Sequence, residues 1–124
     1  MIALDTSSLI AFLRGDEGGD VEAVDRAFEL KHAVLPPVVV TEILSDPKLE
    51  RRVSRLIRDL PTLDIEPGFW ERAATTRAGI LSKGLRARLA DALITQSCLD
   101  VGVSLITRDS DFRHFAKYAG LVLI

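Results

Sequence analysis

Short apolar runs alternate along this chain with longer stretches of helical period. Ile2-Ala3-Leu4 is an unbroken apolar run that stops at Asp5, the pattern of a strand covered on both faces. Thr6, Ser7 and Ser8 favour a helix start, and Leu9 to Leu13 continue it until Gly15 to Gly19 break it. Asp20 can cap a second helix, with Val21, Val24, Ala27 and Phe28 at helical spacing. Ala33-Val34-Leu35 predicts a second strand, and Pro36-Pro37 a helix start before Val40, Glu42, Ile43 and Leu44.

Asp46-Pro47 predicts a cap with proline at the first helical position. Leu49, Val53, Leu56, Ile57 and Leu60 then fall on one face, which predicts an amphipathic helix packed on the core, with Leu56 in mid-stripe. Thr62 to Ile65 predicts a short third strand, and Pro67 opens a long helix that Gly84 ends. Leu89 to Val101 is apolar on most faces, so it predicts a central helix. Val103 to Thr107 predicts a strand, Ser110 to Tyr118 a short helix, and Leu121 to Ile124 a last strand. About five strands alternating with about seven helices predict one mainly parallel α/β sheet with helices on both faces. No repeat or linker divides residues 1–124, so one domain is expected.

Composition narrows the classes. Hydrophobic residues make up 48% of the 124 positions and charged ones 27%, which excludes a disordered chain. A single cysteine, Cys98, excludes a disulfide framework and a Cys-rich zinc site. No apolar run reaches the ~20 residues of a membrane span, and MIALDTSSLI lacks the basic start of a signal peptide. The net charge of −2 excludes nucleic-acid binding by bulk charge, so any such contact needs a local basic patch or metal ions.

Chemistry in open α/β sheets gathers beyond the carboxyl ends of the strands. Asp5 follows the first strand, and Asp109 follows Leu105-Ile106-Thr107-Arg108. Glu42 and Asp91 lie inside apolar helical stretches. Each has an ordinary alternative: helix caps for Asp5 and Asp109, a solvent-facing position for Glu42, an ion pair with Arg86 or Arg88 for Asp91. As a set they are harder to explain separately. Grouped carboxylates repel and raise each other's pKa, and a divalent cation removes that cost. Oxygen ligands without His or Cys favour Mg²⁺ or Mn²⁺ over zinc. His32 and His114 have no evident partners.

Four ordered pieces carry a resemblance: Ile2-Ala3-Leu4-Asp5-Thr6-Ser7, Val40-Thr41-Glu42-Ile43-Leu44, Leu89-Ala90-Asp91-Ala92-Leu93-Ile94, and Leu105-Ile106-Thr107-Arg108-Asp109-Ser110-Asp111-Phe112. Over its whole length the chain resembles a PIN-domain ribonuclease, and most of all the VapC-type toxin of prokaryotic toxin–antitoxin modules. The resemblance implies metal-binding roles for Asp5, Glu42, Asp91 and Asp109, with Asp111 matching an acid found in some members only. Thr6 or Ser7, and Thr107, match supporting hydroxyls, with helix capping as the alternative. It further implies Mg²⁺-dependent endoribonuclease activity on RNA, a small cognate antitoxin, a homodimer and a cytoplasmic setting. Other readings are a maturation nuclease, a PIN-like module that binds without cutting, and a phosphoryl-transfer domain. A haloacid-dehalogenase-type enzyme of that last class needs a second Asp where Ser7 stands.

Two local expectations complete the sequence reading. If a helix begins after Asp109, Asp111 points roughly 200° away from it, so Asp109 should matter more to catalysis. Lys48, Arg51, Arg52, Arg55 and Arg58 share the polar face after Pro47. That face is either solvated and balanced by Glu50 and Asp59, or in contact with RNA phosphate or an acidic partner segment.

Overall fold

The computed structural model describes all residues, 1–124. Strand β1 (Ile2–Leu4) leads into helix α1 (Thr6–Arg14), followed by α2 (Gly19–Glu29) and strand β2 (Ala33–Val34). Helices α3 (Pro37–Leu44), α4 (Arg51–Asp59), α5 (Phe69–Leu81) and α6 (Leu89–Val101) come next. Strand β3 (Ser104–Ile106), a 3₁₀ turn at Ser110–Phe112 and α7 (Arg113–Ala119) complete the chain.

The sheet is parallel, in the order β2-β1-β3, with Ile2 opposite Ala33 and Ser104. It has three strands where about five were expected. The two missing ones are reduced to single parallel bridges, Leu35 to Thr62 and Leu105 to Leu123. Both flank the sheet, where only one side of the backbone can pair. At the first, Pro61 has no N–H to give and contributes only its carbonyl, to the Leu35 amide at 2.9 Å. Seven α-helices match the expected number.

Ala3, Leu4, Val34, Leu105 and Ile106 form the buried centre of the sheet. Their apolar side chains on both faces explain why these short runs read as strands without alternation. Helix α6 is the central helix that its sequence predicts, buried at Asp91, Ala92 and the whole stretch from Ile94 to Cys98. The thiol of Cys98 is pushed up to about 12 by burial, so it stays neutral and inert. No helix is long and apolar enough to cross a membrane.

Helix α4 differs from its prediction. It begins at Arg51 with Glu50 at the cap, while Asp46 closes a separate turn by accepting from the Lys48 amide at 2.9 Å. Ile57 is its only buried residue, and Leu49, Val53 and Leu60 pack partly on the core. Leu56 does not join them. One residue is a 100° turn, which sets Leu56 on the flank of a stripe centred on Ile57. The long helix α5 also starts later than expected, at Phe69 behind Gly68, whose φ of 84° suits glycine.

Candidate metal centre

The parallel register brings the carboxyl ends of β1 and β3 to one edge, where the Asp5 amide donates to the Ile106 carbonyl at 2.9 Å. Asp5 is buried there. Its Oδ2 accepts from Ser7 Oγ at 2.6 Å and from Thr107 Oγ1 at 2.7 Å. Both bonds fall on one oxygen, so they fix the carboxylate and leave Oδ1 free. Thr107 Oγ1 also accepts from the Asp109 amide at 3.0 Å. One hydroxyl thus donates to the first acid and positions the backbone of the next. The hydroxyls of Ser7 and Thr107 thus hold the Asp5 carboxylate in place.

Asp109 is extended and caps the 3₁₀ turn, its Oδ1 accepting from the Asp111 amide at 2.9 Å. This geometry corrects the expectation that Asp111 turns away. No α-helix starts at Asp109, and the capped turn folds residue 111 back. Carboxylate oxygens of Asp91, Asp109 and Asp111 lie within 4.8 Å of one another. Arg88 and Arg86 approach Asp111, at 3.6 and 4.0 Å, rather than Asp91. Asp91 therefore has no ion-pair partner.

Asp91 Oδ2 is buried without any hydrogen-bond partner. Its pKa is pushed up to about 6, first by burial, then by the charges of Asp109 and Asp5, against a smaller opposing pull from Arg88. A buried carboxylate that lacks a donor and faces other carboxylates is costly to ionise. A hard cation would relieve both costs. The donor set suits one, since oxygens sharing an ion at ~2.1 Å bonds lie up to ~4 Å apart.

Glu42 stands apart from these three acids. It is exposed on α3 and accepts from Thr6 Oγ1 at 2.8 Å, so Thr6 tethers it beside Asp5 at the rim. His32 and His114 make no hydrogen bond or ion pair through their side chains.

One group escaped the sequence reading. Arg108 donates to Asp20 from Nε at 2.9 Å and Nη2 at 3.1 Å, and to the Glu17 carbonyl at 3.1 Å. Asp20 also accepts from Ser8 Oγ at 2.8 Å, and Arg108 foremost lowers its pKa to about 2. The first turn of α2 and the segment leading into it are thereby strapped to Arg108, the residue before Asp109. Gly18 lets the strap close, because a Cβ there would meet Asp20 Oδ1 at 2.7 Å. The one available signal was an arginine beside a site acid, which does not name its partner.

Fold and site together define an α/β protein with an acidic cluster at the carboxyl edge of its parallel sheet. A family model described as PIN domain matches residues 2–118, and the chain belongs to that family. Several solved structures share the fold. The FitAB complex bound to an IR36 DNA fragment superposes with a TM-score of 0.74 at 19% identity, covering 100% of this chain and 94% of that one. VapBC2 from Rickettsia felis, bound to a promoter DNA fragment, gives 0.71 at 20% identity over 100% and 98% of the two chains. VapBC-5 from Mycobacterium tuberculosis, of the VapBC family of toxin–antitoxin systems, gives 0.68 at 20% identity over 99% and 96%. No curated protein sequence matches significantly.

Proposed function

We propose that this chain is a Mg²⁺-dependent endoribonuclease and the toxin of a toxin–antitoxin pair. The single observation that carries the nuclease reading is the orphaned, buried Asp91 Oδ2 beside Asp109 and Asp111 in a PIN domain. Asp91, Asp109 and Asp111 would hold the ion, with Asp5, whose charge reaches Asp91, beside them and Glu42 contributing from the rim through its tie to Thr6. Bound there, Mg²⁺ or Mn²⁺ would make water more acidic and offset negative charge on the attacking and leaving oxygens. Ser7 and Thr107 keep Asp5 oriented by spending their protons on its far oxygen. The site has no need of a Ser, Cys or His nucleophile.

The toxin role draws on the similar solved structures, which include toxin–antitoxin complexes. Its partner is a small antitoxin, and its active form a homodimer.

Single-stranded RNA incubated with the purified chain tests the activity. Cleavage is expected with Mg²⁺ or Mn²⁺ and abolished by excess EDTA; undiminished cleavage in EDTA overturns the proposal. Co-purification with the product of a small adjacent reading frame, and loss of cleavage in that complex, tests the antitoxin.

A further inference from the structure

An acidic cleft repels the polyanion that it is proposed to cut, so a basic patch elsewhere on the surface would add to the attraction of a bound cation. Helix α4 carries such a patch. Arg51, Arg52, Arg55 and Arg58 lie in its nine residues, all exposed, against one acid, Asp59. Ile57 points to the core, which places Arg51, Arg55 and Arg58 in one outward stripe by the 100° helical step.

None of the four forms an ion pair, and neither do Glu50 and Asp59. Glu50 and Asp59 flank the helix without pairing to its arginines, which leaves the four guanidinium groups open to a partner. The only hydrogen bond from the stripe is Arg58 Nε to Ser54 Oγ at 3.1 Å. Like charges three and four positions apart destabilise an isolated helix, and this helix keeps four of them unneutralised in a chain of net charge −2. Three other basic side chains near the site face acids: Arg108 meets Asp20, and Arg86 and Arg88 approach Asp111.

The stripe neighbours the site through one helix: α4 packs on α3, which carries Glu42. A groove of about 260 Å³ runs from Glu42 to the inward side of α4 at Val53; its charged lining is mixed, Arg14 and Lys48 against Glu42, Asp46 and Glu50, and the stripe arginines lie outside it. From Arg51 to Arg58 the helix rises about 10 Å. A stacked strand advances roughly 3.4 Å per phosphate, so the stripe faces about three of them.

We infer that the outward face of α4 is the docking surface for the phosphate backbone of single-stranded RNA, holding the strand while the segment beyond it enters the acidic site. The inference rests on the nuclease reading, but a binding assay tests it separately.

The assay measures fluorescence anisotropy of a labelled single-stranded RNA across a potassium chloride series, on an uncleaving Asp91→Asn background. Replacing Arg51, Arg55 and Arg58 together with alanine should weaken binding at least ~10-fold. The slope of log affinity against log salt should fall by about 2, at ~0.7 per phosphate on a single strand. The matching triple lysine variant should keep the slope. Should the triple alanine variant unfold by circular dichroism, Arg55→Ala alone should lower the slope by about 0.7. Unchanged affinity and slope overturn the inference. So does absence of RNA binding by the background chain. Binding of polyglutamate through the stripe, with RNA binding untouched by the triple variant, overturns it in favour of an acidic protein partner. RNA held through α4 by a parent chain that cuts nothing in Mg²⁺ keeps the surface and sinks the nuclease reading.

Discussion

At Asp91, desolvation and repulsion work against the folded metal-free chain. Its carboxyl titrates at about 6 when folded, against 3.8 for an unperturbed aspartate in the unfolded chain. Between those values the folded state binds the proton better, so stability falls as pH rises from about 4 to about 6 and stays lowered above. Asp91→Asn should therefore melt higher than the parent at neutral pH without metal. That gain should vanish below about pH 4, where both forms are neutral. Thermal denaturation across pH, with EDTA present, checks it. A lower melting temperature for Asp91→Asn at neutral pH would show a structural role instead.

Asp109 and Asp111 invite a second comparison. Because the 3₁₀ turn brings both to Asp91, Asp109→Asn and Asp111→Asn should lower kcat to within about tenfold of each other, a barrier difference under ~1.4 kcal/mol. Rates at saturating Mg²⁺ measure this; a far smaller loss for Asp111→Asn restores the order read from the sequence. The premise beneath that order, that residue 111 turns away from residue 109, fails for a specific reason. A helical wheel assumes that a helix starts at the capping acid, and the pattern around Ser110 cannot distinguish a 3₁₀ turn from the first turn of an α-helix. Asp5, Asp91 and Asp109 were legible because each sits where a strand or a buried helix forces its position. Glu42 takes the solvent-facing position that its sequence allowed, and apolar neighbours along a helix of about two turns do not decide which way it faces.

Among the elements, β1, α1 and α6 follow closely from their apolar patterns, while the flanking strands do not. Thr62 and Leu123 pair through single bridges, and a run of four residues cannot reveal how many of its amides find a partner. In α4 the apolar stripe was visible but its centre was misplaced by one residue. Ile57→Ala should therefore cost ~2–5 kcal/mol of stability, and Leu56→Ala clearly less. Urea unfolding of both variants decides between the two registers, and a larger loss at Leu56 would reverse them.

The strap between Asp20 and Arg108 joins elements far apart in sequence, which is why no local pattern announces it. With its pKa lowered to about 2, Asp20 adds stability that is present above about pH 4 and lost as pH falls towards 2. Asp20→Asn should lower the urea midpoint at neutral pH, and the gap should narrow as pH drops through about 3. A gap independent of pH would assign the loss to packing rather than charge.

The whole molecule exposes 7201 Å² of surface, against about 6,600 Å² from the scaling for a monomer of this mass. Part of the exposed surface is apolar. Trp70, Leu81 and Leu89 are 60%, 45% and 60% exposed and line a groove of about 370 Å³ between α5 and α6. An apolar groove of this kind suits the proposed homodimer. Leu89→Lys should shift the mass in solution, measured by light scattering, from dimer towards monomer. An unchanged dimer would place the interface elsewhere.

The central claim is that the acidic cluster holds the ion with which RNA is cut. Its most direct test is one Mg²⁺ titration read two ways, as heat of binding and as the cleavage rate of single-stranded RNA, for the parent chain and for Asp91→Asn. The parent should reach half-maximal cleavage at the Mg²⁺ concentration that half-fills a binding site, and Asp91→Asn should lose both signals while staying folded. Cleavage that persists in Asp91→Asn, or that proceeds at full rate with the binding site empty, would contradict it.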